Sequence, residues 1–300
     1  MPGAEGHQDR ASTVAAAMRE LSAQLERAGI DEAGGDVRRL VAGALGISGA
    51  DILRAPERTL TVTELQVLRG YAERREQREP VSRILDERDF YGRTFAISPA
   101  TLDPRPDSET IIAAALEIAR EEDWLSQTLR ILDVGTGSGC LLLTLLCELP
   151  HATGLGTDIS PSALETAAHN ARRLGVEDRA AWLHADALES VSGPFHILVA
   201  NPPYVRTPDI AQLEPEVRAF DPIDALDGGP DGLLMYRRLG GGIPNVIAAG
   251  GWIVLEVGYD QADAVTALLR SGNANIAAES VRIGLDVAGK RRCVAAKTLG

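Results

Sequence analysis

The chain has 300 residues, of which 45% are hydrophobic and 24% charged, and its formal net charge is −13. This length suits one large domain or two of ordinary size, and the apolar content is normal for a globular core. No stretch approaches the roughly 20 apolar residues of a membrane-spanning helix, and the opening residues MPGAEGHQDR lack the apolar core of a secretory signal. We therefore expect a cytoplasmic protein.

The negative charge is unevenly distributed, which bears on possible partners. Residues 1–80 carry 11 Arg and 13 Asp or Glu, so most of the excess acid lies in residues 81–300, and the longest basic run is Lys290-Arg291-Arg292. An acidic surface repels nucleic-acid phosphates, so direct binding of DNA or RNA is disfavoured. The three cysteines form no CxxC pair, which favours a reduced protein without a metal site.

Residues 1–80 are predicted to form a small helical domain. Apolar residues recur at steps of three and four between Val14 and Ala28, which is the spacing of one helical face. A second short helix follows, and Thr61 with Glu64 has the spacing of a capping box that opens a third. Because such a bundle carries no catalytic constellation, we interpret it as a substrate-recognition domain.

Residues 81–105 are predicted to form a β-hairpin linker. Aromatic and apolar residues flank Gly92, which is typical of two short strands joined by a turn. The rigid sequence DPRPDSE follows, in which Asp107 or Ser108 is suited to cap the next helix.

From residue 106 to residue 300 apolar strands alternate with helices. Strands are predicted at Arg130–Val134, Leu155–Asp158, Ala181–Ala185, Phe195–Ala200, Trp252–Val257, Ile276–Val281 and Cys293–Ala296. This alternation predicts an α/β domain with a parallel, doubly wound sheet. Such sheets bind ligands at the carboxyl ends of the strands, where the strand order reverses. The residues directly after each strand are therefore the candidates for the site.

The first three strands end in residues suited to a nucleoside ligand. The first leads into DVGTGSG (residues 133–139), whose glycines permit a tight turn and close approach of a ligand. The spacing matches neither the dinucleotide fingerprint nor a P-loop. Asp158 ends the second strand, where a carboxylate can accept both hydroxyls of a ribose. Asp186, after the third strand, is a candidate acceptor for an adenine amino group or, alternatively, a helix cap.

The reaction class is indicated by Asn201-Pro202-Pro203-Tyr204, which follows the fourth strand. A planar amide or amino nitrogen is a poor nucleophile because its lone pair is delocalised. Asn201 Oδ1 and the Pro202 carbonyl are suitable acceptors for its N–H groups, and two prolines hold the loop in place. Tyr204 offers a flat face against which a planar group can stack. This pattern predicts an N-methyltransferase.

Several stretches together resemble the release factor glutamine methyltransferases, the PrmC/HemK family. They are EPVSRILDERDFYGRTFAISPATLDPRPDSET, ILDVGTGSGC, the strand that ends in Asp158, VANPPYV and LEPEVRAFDPIDALDGGPDGLLMYRRL. These stretches lie between about residue 79 and residue 258. NPPY alone is shared with N-methyltransferases of DNA, RNA and protein, whereas the linker, PRPDSE and LDGGPDGL segments point to this family.

The resemblance implies a class I S-adenosylmethionine-dependent methyltransferase, with a Rossmann-like doubly wound sheet and a helical N-terminal domain. It implies methylation of the side-chain amide nitrogen of the glutamine in the Gly-Gly-Gln motif of bacterial class I peptide release factors. Carried over by position, the cofactor-binding residues are Gly135, Thr136, Gly137, Ser138, Gly139, Asp158, Asp186, Ala187 and Asn201. Ala187 stands where the family often has an aromatic residue beside the adenine. The implied catalytic residues are Asn201, Pro202 and Tyr204, which together with Pro203 clamp the glutamine.

Two other functions stay open at this point. An N-methyltransferase that acts on another protein, or on an amino group of rRNA or DNA, would carry the same NPPY sequence, although the acidic composition disfavours a nucleic-acid substrate. A non-catalytic or NAD-binding Rossmann protein would leave Asn-Pro-Pro-Tyr without a role, because hydride transfer does not use it.

Overall fold

The computed structural model describes residues 12–271 and 275–299, so the first eleven residues of the predicted N-terminal domain lie outside the described part of the chain. The chain divides into two compact units between Asp86 and Glu87. Among the described residues, no helix combines the length and the apolar character that a membrane crossing requires.

The described part of the first unit is helical. Its helices are α1 (Val14–Arg27), α2 (Ala33–Leu45), α3 (Gly49–Arg54), α4 (Val62–Glu76) and α5 (Val81–Leu85). Leu21 and Leu25 are buried on one face of α1, as the periodicity predicts. The predicted capping box is confirmed, because the Thr61 side chain accepts a hydrogen bond from Glu64 N and the Glu64 carboxylate accepts one from Thr61 N.

The boundary of the first unit lies a few residues beyond the predicted start of the linker. The sequence assigns residue 81 onward to the hairpin linker, yet α5 belongs to the first unit. Val81 and Ile84 are buried in a small apolar cluster with Leu40 of α2. Removal of these side chains from water is the physical reason for the difference.

The second unit opens with the predicted hairpin. Strands β1 (Glu87–Phe90) and β2 (Arg93–Ala96) pair antiparallel. Tyr91 and Gly92 form the turn, and both have positive φ angles, of 48° and 71°. Two-residue turns of this kind match the twist of the strands that they join.

A sheet of seven strands forms the centre of the second unit. The strands are β3 (Arg130–Val134), β4 (Thr153–Asp158), β5 (Ala180–His184), β6 (Phe195–Ala200), β7 (Ile247–Glu256), β8 (Arg282–Leu285) and β9 (Arg291–Lys297). Their order is β5-β4-β3-β6-β7-β9-β8, with β9 antiparallel to both of its neighbours and the other pairs parallel. The doubly wound α/β sheet is confirmed, and its direction of winding reverses between β3 and β6.

Helices cover both faces of this sheet. They are α6 (Glu109–Glu121), α7 (Cys140–Glu148), α8 (Pro161–Leu174), α10 (Leu234–Val246) and α11 (Ala262–Ser271). The short helix α9 (Pro215–Arg218) lies in the segment after β6 and buries none of its residues. Consecutive residues of β3 face opposite layers: Ile131 is buried in the core with residues of α6 and α7, and Leu132 in the core with residues of α10 and α11. Burial on both faces explains why the consecutive residues Ile131 and Leu132 are both apolar, instead of one apolar and one polar.

The predicted strand at Ile276–Val281 is wrong, because the residues that pair with β9 are those of β8. Ile276 forms only an isolated bridge, and one turn of 3₁₀ helix follows at Ala278–Ser280. The tight turn between β8 and β9 determines the register. Asp286 Oδ1 accepts hydrogen bonds from two backbone N–H groups of that turn, so pairing starts beside it.

Candidate active site

A cavity of about 430 Å³ lies at the carboxyl ends of β3, β4 and β6, beside the point where the strand order reverses. This is where open α/β sheets bind their ligands. It brings together most of the predicted site residues: Gly135, Thr136, Gly137, Ser138, Asp158, Asp186, Ala187, Asn201, Pro202 and Pro203. The predicted residues Gly139 and Tyr204 lie outside its lining.

The glycine loop after β3 is shaped by backbone conformation. Gly135 and Gly137 have φ angles of 70° and 56°, a region that side chains with a Cβ rarely adopt. A Cβ on either would meet no protein atom within 4 Å, so the space beside the loop is free for a ligand. Gly139 differs, because its Cβ would lie 2.9 Å from Leu143 Cδ1. It serves close packing at the start of α7.

Asp158 is held at the end of β4 by backbone N–H groups. Its Oδ2 accepts a hydrogen bond from Gly137 N and its Oδ1 one from Ser160 N, each at 2.9 Å. Burial raises the pKa of Asp158, and these hydrogen bonds oppose that rise. A carboxylate has about four acceptor positions, so the side chain retains capacity for ligand hydroxyls while it braces the loop.

Asp133 lies beneath the loop and is fully buried. Its Oδ2 accepts hydrogen bonds from Thr136 Oγ1 at 2.6 Å and from Leu142 N at 3.3 Å. Its Oδ1 has no hydrogen-bond partner among the described residues. Burial is the main cause that raises the pKa of Asp133 to about 7. Through its two hydrogen bonds, Asp133 connects the glycine loop to the first turn of α7.

At the end of β5 the structure adds a cation that the sequence pattern does not indicate. The Asp186 carboxylate forms an ion pair of 2.7 Å with Arg238 of α10. Both residues line the cavity. Ala187 has a φ angle of 55°, and its carbonyl accepts a hydrogen bond from Thr157 Oγ1. The predicted adenine contact of Asp186 would therefore be made by a carboxylate that already has a partner.

Asn201 stands directly after β6, and its side chain is oriented by a serine from a distant segment. Its Nδ2 donates a hydrogen bond of 3.0 Å to Ser108 Oγ. This contact leaves Oδ1 as the acceptor that Asn201 can offer a ligand. The predicted cap is wrong: Ser108 makes no side-chain cap to α6, and Asp107 forms an ion pair with Arg292 at 3.0 Å.

Tyr204 supports the site from behind the cavity lining. Its ring packs against the apolar core on the α10 side of the sheet, and its hydroxyl donates a hydrogen bond of 3.2 Å to Glu256 Oε1. Burial raises the pKa of the Tyr204 hydroxyl. The side chain is half-buried, and its role as a stacking surface for the substrate stays a prediction.

Glu256 ends β7 beside the NPPY segment and is only 1% exposed. Burial raises its pKa to about 7, although interactions with the Ser108 and Tyr204 hydroxyls lower it in part. Tyr236 donates a hydrogen bond of 2.7 Å to the Glu256 backbone carbonyl. The sequence carries a signal for this residue: a charged side chain closes the buried apolar run WIVLE at the carboxyl end of a strand.

The outer wall of the cavity comes from residues 222–239, among them Pro222, Asp224, Asp227, Leu234 and Met235. Asp221, at the start of this wall, forms an ion pair of 2.5 Å with Arg105. The segment before α6 is thereby attached to the wall.

Comparison with known proteins agrees with this geometry. A family model for the PrmC N-terminal domain matches residues 16–85, and one for the methyltransferase small domain matches residues 115–213. A release factor glutamine methyltransferase from Rhodospirillum rubrum is 44% identical over 91% of this chain and 82% of its own. Another from Cereibacter sphaeroides is 40% identical over 94% of this chain and 97% of its own. The chain belongs to the release factor glutamine methyltransferase family.

Solved structures show the same fold in more distant proteins. The catalytic domain of hMettl16, in complex with MAT2A 3'UTR hairpin 1, is 14% identical, with a TM-score of 0.55 over 81% of this chain and 86% of that one. At that identity the likeness concerns the fold alone.

In this member of the release factor glutamine methyltransferase family the cofactor is S-adenosylmethionine, and the cavity fits it. The open space beside Gly135 and Gly137 allows a ligand to approach the backbone. Asp158 supplies a carboxylate for the ribose hydroxyls at the end of β4. The neighbouring apolar lining, which includes Ile159 and Ala185, suits a nucleoside base.

Proposed function

We propose that the protein transfers the methyl group of S-adenosylmethionine to the side-chain amide nitrogen of the glutamine in the Gly-Gly-Gln motif of bacterial class I peptide release factors. The observation that carries the proposal is the placement of Asn201. Its Oδ1 is left as an acceptor by the hydrogen bond from Nδ2 to Ser108, and it lines the same cavity as the glycine loop and Asp158. Family membership supports the choice of substrate.

The chemistry follows from the weakness of an amide nitrogen as a nucleophile. When bound, the cofactor supplies an electrophilic methyl group on a sulfonium centre. Asn201 Oδ1 and the Pro202 carbonyl accept from the two N–H groups of the glutamine and favour a lone pair directed at that methyl group. A C–N bond forms as the C–S bond breaks, and one N–H proton leaves to water or to a cavity carboxylate.

Positioning accounts for much of the proposed rate enhancement. Orientation of two bound reactants can lower a barrier by about 7–11 kcal/mol. Pro202 and Pro203 restrict the loop that carries both acceptors, and Ser108 holds the Asn201 amide. The acceptors are therefore in place before the substrate arrives.

The charge around the cavity favours a protein substrate. Its lining contains the carboxylates of Asp158, Asp186, Asp224 and Asp227, and Asp186 is paired with Arg238. Carboxylates repel a phosphate backbone. On this proposal we expect the protein in the cytoplasm, together with its release factor substrate.

The test is transfer of labelled methyl from S-adenosylmethionine in a single turnover. Purified release factor, rRNA and DNA are offered side by side, with a control factor whose Gly-Gly-Gln glutamine is replaced by alanine. We expect label on the unmodified release factor alone. Equal label on the control factor would refute the glutamine as acceptor, and preferential label on rRNA or DNA would establish the alternative N-methyltransferase function.

The helical first unit, on this proposal, recognises the release factor. None of the residues that line the described cavity comes from that unit, and its family model carries the PrmC N-terminal description. A chain that begins at Glu87 should bind cofactor normally but lose at least about fivefold in kcat/KM for the release factor, the loss of one contact worth about 1 kcal/mol. Equal kcat/KM for the two chains would exclude this role.

A further inference from the structure

The ends of the strands set the direction in which the cofactor lies. Asp158, the candidate for the ribose, ends β4, whereas Asn201, the candidate beside the methyl group, directly follows β6. The strand order β5-β4-β3-β6 places these two residues on the two sides of β3. In S-adenosylmethionine the adenine and the sulfonium are attached on opposite sides of the ribose. A sulfonium directed from Asp158 towards β6 therefore leaves the adenine directed towards β5.

The end of β5 lies directly beside Asp158. Ala185 N donates a hydrogen bond of 3.0 Å to the Asp158 carbonyl. Asp186 follows and forms its ion pair of 2.7 Å with Arg238. Ile159, Ala185, Asp186 and Arg238 all line the cavity. The space on this side of Asp158 is therefore bounded by apolar side chains and by one ion pair.

The described lining of the cavity contains no aromatic ring. Phe, Tyr, Trp and His are all absent from it, and Arg238 is the only Lys or Arg that it contains. Proteins bind nucleobases by stacking them on flat side chains, which are either aromatic rings or arginine guanidinium planes. Within the described lining, the Arg238 guanidinium is therefore the flat cation available to a base at the β5 end.

The ion pair holds the Arg238 guanidinium by its edge. The N–H donors of a guanidinium all lie in its plane, and it is Nη2 that contacts Asp186 Oδ2. An acceptor bound at the edge leaves both faces of the plane free for stacking. Leu234, Met235 and Leu239 of the same helix, α10, also line the cavity, so this side of α10 borders the space.

We propose that Arg238 binds the adenine of S-adenosylmethionine by stacking its guanidinium on the base, and that Asp186 acts through Arg238 and not as an acceptor for the adenine amino group. This rests on the proposed function, because the place of the methyl group beside Asn201 gives the cofactor its direction. Arg238 is then a cofactor-binding residue, and Asp186 is a positioning residue for it.

Calorimetric binding of S-adenosylhomocysteine tests the role of Arg238 without any methyl transfer. In Arg238→Leu the dissociation constant should rise about fivefold or more, the lower end of what loss of one base-stacking contact costs. Arg238→Lys keeps the charge but not the plane, so its affinity should fall nearly as far. Normal binding by either variant would overturn the stacking role.

The matched control is the neighbouring arginine of the same helix. Arg237 forms an ion pair with Asp231 and does not line the cavity. Both arginines are partly exposed, so neither substitution opens a hole in the core. Arg237→Leu removes the same charge from α10, and its dissociation constant should equal that of the unsubstituted protein. Equal losses in Arg237→Leu and Arg238→Leu would overturn the proposal, because the effect would then come from net charge or folding.

A second ligand separates the two roles of Asp186. The inosine counterpart of S-adenosylhomocysteine carries a carbonyl oxygen in place of the adenine amino group, so it cannot donate to a carboxylate there. If Asp186 acts only through Arg238, Asp186→Ala should weaken both ligands by the same factor. It should also cost little further affinity in a chain that already carries Arg238→Leu. A preference for the adenine ligand that vanishes in Asp186→Ala would show direct contact and overturn the positioning role.

This inference and the proposed function can fail separately. The binding measurements need no release factor, so normal affinity in Arg238→Leu would overturn the adenine contact and leave glutamine methylation intact. Near-normal turnover by Asn201→Ala would instead remove the proposed acceptor. The affinities of the Arg238 variants would still decide whether that side chain binds the base.

Discussion

The two ends of the cavity are built in different ways. Around the glycine loop at the cofactor end, hydrogen bonds join residues that are close in sequence: Thr136 to Asp133, three positions apart, and Gly137 to Asp158, twenty-one apart. At the acceptor end, Asn201 and its partner Ser108 are ninety-three positions apart, and Tyr204 and Glu256 fifty-two apart. One end is a local loop with backbone donors, and the other is an assembly of side chains from separate segments.

This difference implies that cofactor binding and methyl transfer are separable by mutation. A change at the cofactor end should appear in the affinity for S-adenosylmethionine, and a change at the acceptor end should appear in kcat.

The largest expected effect is that of Asn201→Ala. It removes an acceptor whose interaction strengthens as the nitrogen lone pair localises, so kcat should fall about 10²–10³-fold. Cofactor affinity should change little. Single-turnover methyl transfer and calorimetry measure the two quantities. If the cofactor affinity fell by the same factor as kcat, cofactor binding and methyl transfer would not be separable by mutation at this position.

Asn201→Asp is the partner substitution. It keeps an acceptor oxygen and replaces the Nδ2 that donates to Ser108, so partial activity should survive. Activity below that of Asn201→Ala would mean that the added negative charge outweighs the retained acceptor.

Asp158→Ala is expected to have the next largest effect. It should lower the affinity for S-adenosylmethionine and leave kcat nearly unchanged. Loss of one charge-assisted hydrogen bond to the ribose weakens cofactor binding by about 1.5–3 kcal/mol. Asp158→Asn, which keeps one acceptor oxygen, should lose less. Once the cofactor is saturating, kcat should recover most of its value. An unchanged dissociation constant in a folded Asp158→Ala protein would remove this residue from the cofactor site.

The smallest effect concerns stability and pH. Burial raises the pKa of Glu256 from 4.5 to about 7. The folded protein therefore favours the protonated carboxyl more than the unfolded chain does, and this stabilisation is lost as the pH rises through about 7. Between pH 6 and pH 8 we expect a loss of about 1 kcal/mol in the free energy of unfolding from this group.

Glu256→Gln should remove that share of the pH dependence. Denaturant unfolding at pH 6 and pH 8 measures the change in the free energy of unfolding. At the cofactor end, burial likewise raises the pKa of Asp133 to about 7, so Asp133→Asn should also reduce the pH dependence. Equal pH slopes for Glu256→Gln and the unsubstituted protein would show that Glu256 does not titrate in this range.

The same contrast explains what could be predicted from sequence. The glycine loop and Asp158 were accessible because turn, strand end and helix start follow one another in the chain. The role of Ser108 was not accessible, because its partner depends on how the segment before α6 lies against the end of β6. Read locally, Ser108 resembles a helix cap and Tyr204 a stacking surface. The sequence marks Glu256 as a charge at the end of an apolar strand, but its contact with Tyr204 can be expected only when β7 is known to lie beside β6.

The amino end of α6 has a practical consequence for engineering. Ser108 gives that helix no side-chain cap, so the benefit of its hydroxyl is expected in turnover more than in folding. A library selected by heat resistance would then retain substitutions at this position that an assay of methyl transfer discards. Thermostabilised variants of such an enzyme should for this reason be screened for activity at each round.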